Sequence, residues 1–282
     1  MNSTADLTVS FIGPGVMAEA MIQGLVARAQ MPASRILVSG PRRPRLGELS
    51  QRYGVRTTEN NREAAEASSV VVIAVKPQTV SKALAEMKGG IRPAAVLLSI
   101  VAGSTMRDLA GRAGHAAVVR AMPNTPGQIG EGISVWTATA QADAEMRDRA
   151  RVILSALGQE IYVEDEDYLD MATALSGTGP SYVFLFMEAM VDAGVHLGFP
   201  RRIAEQLVVQ TVKGSVAYYE HSPSHLARLR NQVTSPGGTS AAALYYLEKA
   251  GFRTAISRAI WAAYERSVQL GRGKKTEEVS DA

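Results

Sequence analysis

Between Leu7 and about Val163, short runs rich in Val and Ile alternate with helical patterns: Leu7–Ile12, Arg35–Ser39, Val70–Val75, Ala95–Ile100 and Ala117–Ala121. Uninterrupted apolar runs of this length suit strands buried on both faces. Strands separated by helices run parallel, because each crossover returns the chain to the same edge of the sheet. A further pair, Ile133–Ala138 and Glu160–Val163, flanks a helix-like segment from Ala142 to Leu157 and is expected to extend the sheet at one edge. The reading is an α/β domain over residues 1–163, a doubly wound Rossmann-type sheet.

After Glu164 the strand-like runs vanish. Tyr182–Leu197, Ile203–Glu220, Ala241–Ala250 and Arg253–Leu270 carry apolar residues at helical spacing, broken at Gly177–Pro180, Gly198–Pro200, Ser222–Pro223 and Ser235–Gly238. Residues 164–270 are therefore expected to form an all-α domain. Small residues on its helices (Ala189, Ala193, Gly194, Gly214, Ala217) permit close packing within one chain or between two. Several helices with little to cover them imply a homodimer through this domain. The polar tail, residues 271–282, is expected to be disordered.

Composition narrows the function. A hydrophobic content of 46% and 20% charged residues over 282 residues are ordinary for a soluble globular protein with a sizeable core. The net charge of +3 is dispersed, and the one dense basic cluster, Arg42, Arg43 and Arg45, is too small for a nucleic-acid footprint. The chain has no cysteine, which removes disulfides, thiolate ligands and a cysteine nucleophile. Its 4 histidines are scattered, with Pro223 between His221 and His225, so no metal site is expected. The start, MNSTADLTVS, lacks a basic segment and a long apolar run, and later apolar stretches are interrupted by Gly, Pro and charge. Neither a signal peptide nor a membrane span is expected, and the cytoplasm is the default location.

Chemistry enters at the first strand. Ile12-Gly13-Pro14-Gly15-Val16-Met17-Ala18 is a G-x-G-x-x-A pattern placed directly after a strand and at the start of an apolar helix. Gly13 permits the tight turn, Gly15 admits a pyrophosphate to the backbone, Ala18 allows close helix–strand packing, and the helix N-terminus offers free N–H groups. This context reads as a dinucleotide site. The second strand ends Val38-Ser39-Gly40-Pro41-Arg42-Arg43 with no acidic residue to hold a ribose 2′-hydroxyl, so NADP is favoured, with NADPH ahead of NADH. An anionic partner would give Arg42 and Arg43 a purpose at a helix N-terminus, where cations are otherwise disfavoured.

Two more turns point to the same sheet edge. Ala74-Val75-Lys76-Pro77 ends the next apolar strand; it reads chiefly as a source of backbone contacts to the ribose near the nicotinamide, with proton transfer by Lys76 or a solvated lysine as alternatives. In Met122-Pro123-Asn124-Thr125-Pro126, Asn124 is held between two prolines as an oriented donor and acceptor for a carboxamide or substrate. Farther on, Ser235-Pro236-Gly237-Gly238 precedes the apolar run Ala241–Leu247, as a helix start with a hydroxyl cap and exposed N–H groups suited to a carboxylate. The acidic run Glu164–Asp167 reads as a solvated face at a helix start. Trp136, Trp261, Tyr218, Tyr219, Tyr245 and Tyr246 read as core or interface.

Taken together, Ala74–Pro77, Met122–Pro126, the Ser176-Gly177-Thr178-Gly179-Pro180-Ser181-Tyr182 stretch and Gln232-Val233-Thr234-Ser235-Pro236-Gly237-Gly238-Thr239-Ser240 resemble pyrroline-5-carboxylate reductase. The resemblance covers nearly the whole chain, through Gly198-Phe199-Pro200-Arg201, Leu247-Glu248 and Gly251-Phe252-Arg253. It implies reduction of a cyclic imino acid to proline, usually with NADPH, by helical domains that interleave into dimers and assemble into rings. It places cofactor contacts on Ile12 to Met17, on Ser39 and its neighbours, on Asn61 rather than Asn60, on Ala74 to Pro77, and on Ala102 and Gly103. The implied substrate pocket is formed by Ser235, Gly238, Thr239 and Ser240, at a helix start facing the nicotinamide, with Thr178 nearby. The family pattern has threonine where Ser240 stands, and the resemblance suggests that this hydroxyl protonates or orients the imine nitrogen. Serine keeps the hydroxyl and loses the methyl that stiffens χ1. Thr178 replaces a commoner serine and Ser181 a commoner alanine.

Two other functions compete. A dehydrogenase for a 3-hydroxy acid would need a positioned base in the helical half, where Lys213 is the one lysine inside a long helix before Lys249. A non-catalytic NADP sensor would not need the whole Thr234–Ser240 stretch.

Overall fold

The computed structural model describes residues 7–222 and 224–271. Residues 1–6, Pro223 and residues 272–282 of the tail expected to be disordered lie outside the described residues, and Gly271, counted with that tail, is the last residue of a helix. Eight strands form one sheet in the order β3-β2-β1-β4-β5-β6-β7-β8. They are β1 (Val9–Ile12), β2 (Ile36–Ser39), β3 (Arg56–Thr58), β4 (Val70–Ile73), β5 (Val96–Ser99), β6 (Val118–Met122), β7 (Gly132–Ala138) and β8 (Gly158–Tyr162). Strands β1 to β6 pair in parallel, β7 runs antiparallel to β6, and β8 parallel to β7. This is a Rossmann-type sheet, and the expected edge pair extends it.

The register matters for function. Ile12 is level with Ser39 on one side and Ile73 on the other, and Ile73 is level with Ser99. The turns that follow β1, β2, β4 and β5 therefore leave the sheet at one height, at its carboxyl edge and around the switch point between β1 and β4. Because side chains alternate along a strand, Val9 and Phe11 enter one core layer and Ile12 the other. Helices α1 (Val16–Ala27), α2 (Arg43–Tyr53) and α6 (Ala144–Ser155) cover the first face. Helices α3 (Asn61–Glu66), α4 (Val80–Met87) and α5 (Met106–Ala113) cover the second.

The helical half comprises α7 (Tyr168–Ala172), a π-helical turn at Thr173–Gly177, then α8 (Gly179–His196), α9 (Arg201–His221), α10 (Leu226–Gln232), α11 (Thr239–Lys249) and α12 (Phe252–Gly271). Pro180 sits in the first turn of α8, where its missing N–H costs nothing, so that helix starts earlier than Tyr182. Packing divides the described residues into one unit of 7–178 with 263–271 and a second within 179–262. This differs from a division at 163/164, because α7 stays on the sheet domain. Leu169 is fully buried, and Ser267 in the last turns of α12 donates to Asp170 Oδ1 at 2.7 Å.

The second unit has a small core of Val191, Ala204 and Val208, and Gly194 lets α8 approach Ala204 so closely that an added Cβ would lie 3.0 Å from the alanine Cβ. Much of its apolar surface is left outside: Phe184 is 63% exposed, Leu185 66% and Trp261 62%. Tyr218, Tyr219, Tyr245 and Tyr246 are exposed as well, and Trp136 alone among the named aromatics is buried in the core. Apolar area of this extent marks an interaction surface.

Candidate active site

The turn after β1 fits a dinucleotide. Gly13 has φ +104°, and a Cβ there would lie 2.8 Å from both the Ala74 carbonyl oxygen and Val75 Cγ1. Conformation and space thus both demand glycine, and the same contact presses the Gly13–Met17 turn against the Ala74–Pro77 turn. Two backbone bonds hold it: Gly13 N–H donates to Ser39 O, and Ala74 N–H to Ile12 O, each at 2.9 Å. Gly15 caps α1 with no side chain bonded to the first-turn N–H groups, which leaves them to a ligand. Ala18 is fully buried against the sheet, while Val16 is exposed.

At the end of β2, the buried Ser39 hydroxyl donates to Asn61 Oδ1 at 2.7 Å. The neighbouring Asn60 is spent elsewhere: its Oδ1 caps α3 by accepting from the N–H groups of Arg62 and Glu63 at 2.9 and 3.2 Å. Asn61 Nδ2 donates to Glu86 Oε2 at 2.6 Å. Arg42 is exposed as the N-cap residue of α2, and Arg43 Nε donates to Glu59 at 2.5 Å. Gly40 fills a tight place, since a Cβ on it would stand 2.5 Å from Pro14 Cδ and 2.8 Å from Cγ. The first turn and the second-strand end are therefore in direct contact.

Arg45, the third member of the basic cluster, received no role from sequence. Its Nε donates to Pro14 O at 3.1 Å, and its Nη2 pairs with Glu19. Glu19 also accepts from Arg52 and from the Tyr53 hydroxyl, each at 3.0 Å. Burial alone would raise the Glu19 carboxyl, but the hydrogen bonds from Arg45 and Tyr53 and the two guanidinium charges outweigh it and hold the pKa below the ordinary value.

The other turns are less open than their sequences suggest. Lys76 is exposed, and its carbonyl accepts from both the hydroxyl and the N–H of Thr79 at 2.9 Å. Ala102 and Gly103 are half-buried; a Cβ on Gly103 would be 3.1 Å from the carbonyl carbon of Leu270, at the end of α12. Asn124 was expected to face a ligand with both ends of its amide. Instead its Oδ1 accepts from Ile133 N–H at 2.9 Å and its Nδ2 donates to Ser176 O at 3.2 Å, leaving one amide hydrogen. Thr178 closes the π-helical turn: its hydroxyl and its N–H both donate to Thr173 O at 2.8 Å. Single π turns inside helices concentrate at functional sites.

In the helical unit, α11 starts at Thr239 with Gly238 as its cap residue and no side-chain cap bond, so the expected hydroxyl cap is absent. Ser235 instead closes a Pro-Gly turn. Gly237 has φ +71°, Gly238 N–H donates to Ser235 O at 3.1 Å, and Gly238 runs so close to Ser235 Oγ that a Cβ would collide with it. Without a hydroxyl cap, the N–H groups at the start of α11 are the more available to an anion. Thr239 is exposed and Ser240 half-buried in that first turn.

The acidic run also departs from expectation. Glu164, Asp165 and Asp167 are exposed, but Glu166 turns inward. It accepts from Arg120 Nη1 and from Met106 N–H, both at 2.8 Å, and Arg120 also lies 3.5 Å from Asp170. The Arg120 side chain is 5% exposed, so this group ties β6 to α5, α7 and, through Asp170 and Ser267, α12. Nothing in the local spacing of four acids distinguishes the one that pairs 46 residues away.

Comparisons with known proteins agree with this geometry. The profile of the family described as pyrroline-5-carboxylate reductase dimerisation matches residues 166–270, and that of NADP oxidoreductase coenzyme F420-dependent matches residues 8–103. A pyrroline-5-carboxylate reductase of Synechocystis sp. is 40% identical over 267 residues, 94% of this chain and 99% of that protein. The solved structure of a pyrroline-5-carboxylate reductase from Coxiella burnetii is similar at a TM-score of 0.87 and 35% identity, covering 94% of this chain and 98% of that one. Plasmodium falciparum pyrroline carboxylate reductase, solved with NADP bound, matches at a TM-score of 0.86 and 31% identity, covering 94% and 98%.

Proposed function

The chain belongs to the pyrroline-5-carboxylate reductase family, and we propose that it reduces the cyclic imine L-1-pyrroline-5-carboxylate to L-proline with NADPH. The observation that carries the reading is a dinucleotide turn of the required shape, Gly13 pressed on Ala74, in a chain that aligns over 94% of its length with a relative of that name. NADPH supplies a hydride to the imine carbon. The chain's part is to hold and aim the reactants, because a protonated imine is already electrophilic and positioning can supply most of the acceleration.

The turn at Ile12 to Met17 takes the diphosphate on the free N–H groups of α1. Ser39, Asn61, Arg42 and Arg43 take the 2′-phosphate; Arg43 and Asn61 exchange Glu59 and Glu86 for it. Backbone of Ala74 to Pro77 and of Ala102 and Gly103 holds the nicotinamide ribose, and the remaining amide hydrogen of Asn124 serves the carboxamide end. The substrate carboxylate is taken by the uncapped start of α11, with Ser235, Gly238 and Thr239 shaping that turn; Thr178, whose hydroxyl proton goes to Thr173 O, offers a lone pair to a substrate donor rather than to the carboxylate. The Ser240 hydroxyl protonates the neutral imine nitrogen or, once it is protonated, orients it by accepting from its N–H. The exposed apolar faces of the helical unit form the homodimer, dimers assemble into a ring, and the enzyme works in the cytoplasm. Among the described residues no helix is long and apolar enough to cross a membrane.

The test is NADPH oxidation on adding L-1-pyrroline-5-carboxylate, beside a panel of other cyclic imines and 3-hydroxy acids. Rapid oxidation with the five-membered imino acid, slower with NADH, supports the reading. Binding of NADPH with no turnover of any compound would establish the sensor instead.

A further inference from the structure

Arg45 is placed where a cofactor contact would be redundant and a positioning role is not. Its side chain is 23% exposed and reaches the carbonyl of Pro14 in the middle of the dinucleotide turn. That carbonyl is the sole backbone hydrogen-bonding group Pro14 has, since proline lacks an N–H. Its direction also fixes something else. The peptide unit is planar and trans, so the Pro14 C=O and the Gly15 N–H lie in one plane and point opposite ways. A guanidinium that holds the carbonyl outward therefore holds the Gly15 N–H inward, on the side of the turn where α1 presents its free donors.

The guanidinium is itself held. Glu19, 18% exposed and in the first turn of α1, binds Arg45 and also accepts from Arg52 and Tyr53 on α2. The carboxylate thus rides on the same helix whose N-terminus it helps to aim, and α2 supplies three donors to it. The Pro14 ring is itself packed against Gly40.

We infer that Arg45, clamped by Glu19, is a positioning residue for the diphosphate of the dinucleotide, acting through the plane of the Pro14–Gly15 peptide. The inference rests on the cofactor reading above and goes beyond it in one respect. A diphosphate effect is blind to the 2′-phosphate, so NADPH and NADH must suffer alike. Loss of a charge-assisted hydrogen bond is worth about tenfold in affinity.

The experiment is calorimetric titration of the full-length chain with NADPH and with NADH, alongside steady-state kinetics. Arg45→Ala should raise Kd for both cofactors by about tenfold and by the same factor, with kcat at saturating NADPH within about twofold of wild type. Arg45→Lys should recover part of the loss, and Glu19→Gln, which removes one of the two carboxylates on the guanidinium and leaves Glu48 bonded to Nη1 at 3.1 Å, should show a smaller parallel rise. If Arg45→Ala does not fold, these two variants carry the test. Lowered thermal stability with unchanged Kd overturns the inference in favour of a merely structural strut. A rise confined to NADPH overturns it in favour of a 2′-phosphate contact. A wild-type chain that binds neither cofactor overturns the cofactor reading and this inference together.

Discussion

Gly40→Ala offers a quantitative test of how the two cofactor turns are coupled. Gly40 does not have positive φ, so alanine meets no backbone penalty there, and the whole effect is the contact with Pro14. The new Cβ would stand 2.5 Å from Cδ and 2.8 Å from Cγ of a ring that has no rotamer to escape into. Ordinary contact begins near 3.4 Å, so the turn or the strand end must move by about 1 Å. β2 is hydrogen-bonded on both sides, and the turn is the softer element. Overpacking of this kind costs about 1–3 kcal/mol. If the turn yields, the cost appears mainly as weaker NADPH binding, about tenfold for each 1.4 kcal/mol. Equilibrium titration with NADPH reads it, and Pro14→Ala in the same chain should restore much of the loss, because the colliding carbons are then gone. An unchanged Kd in Gly40→Ala, or no recovery in the double variant, would refute the coupling.

Three shorter predictions follow from other parts of the molecule. Ser240→Ala should lower kcat by tenfold or more, by the usual size of a general-acid contribution, and leave NADPH affinity unchanged; equal kcat would remove the hydroxyl from the chemistry. Arg120→Met should cost about 3 kcal/mol, since it strands Glu166 and Asp170 beside a buried site, and lower Tm by about 6–10 °C; a Tm within about 1 °C of wild type would show the group to be dispensable. Glu19 is depressed in the folded chain, so its stabilisation is present above the ordinary value of 4.5 and is lost as pH falls through the lower folded value. The Tm gap between wild type and Glu19→Gln should therefore be full at pH 7 and narrow in acid below about pH 4, and a gap independent of pH would contradict that account.

What the sequence revealed follows from locality. Buried parallel strands read directly because both faces are apolar, and the turn at Gly13 to Ala18 reads because its demands are confined to a few neighbours. β3 escaped because it is a short, exposed edge of Arg and Thr with no apolar signal. α10 has seven residues, too few for a period to emerge. The roles of Arg45, Gly40 and Glu166 were not legible because each depends on a partner distant in the chain: Pro14 for the first two and Arg120 for the third. Asn124 shows the converse limit: an amide between two prolines suggests a side chain open at both ends, and the backbone of Ile133 and Ser176 takes its oxygen and all but one of its amide hydrogens. The proposed substrate residues Ser235 to Ser240 are named by resemblance. Local physics alone offered a helix start suited to an anion, and put a hydroxyl cap on it that the structure lacks.

The most direct test of the central claim follows the hydride itself. NADPH carrying deuterium at the transferring carbon of the nicotinamide is incubated with the chain and L-1-pyrroline-5-carboxylate, and the product is analysed by mass spectrometry and NMR. The account predicts proline formed one for one with NADP, with a single deuterium on the former imine carbon. NADPH consumed without labelled proline, or no consumption by a chain that binds the cofactor, would contradict it.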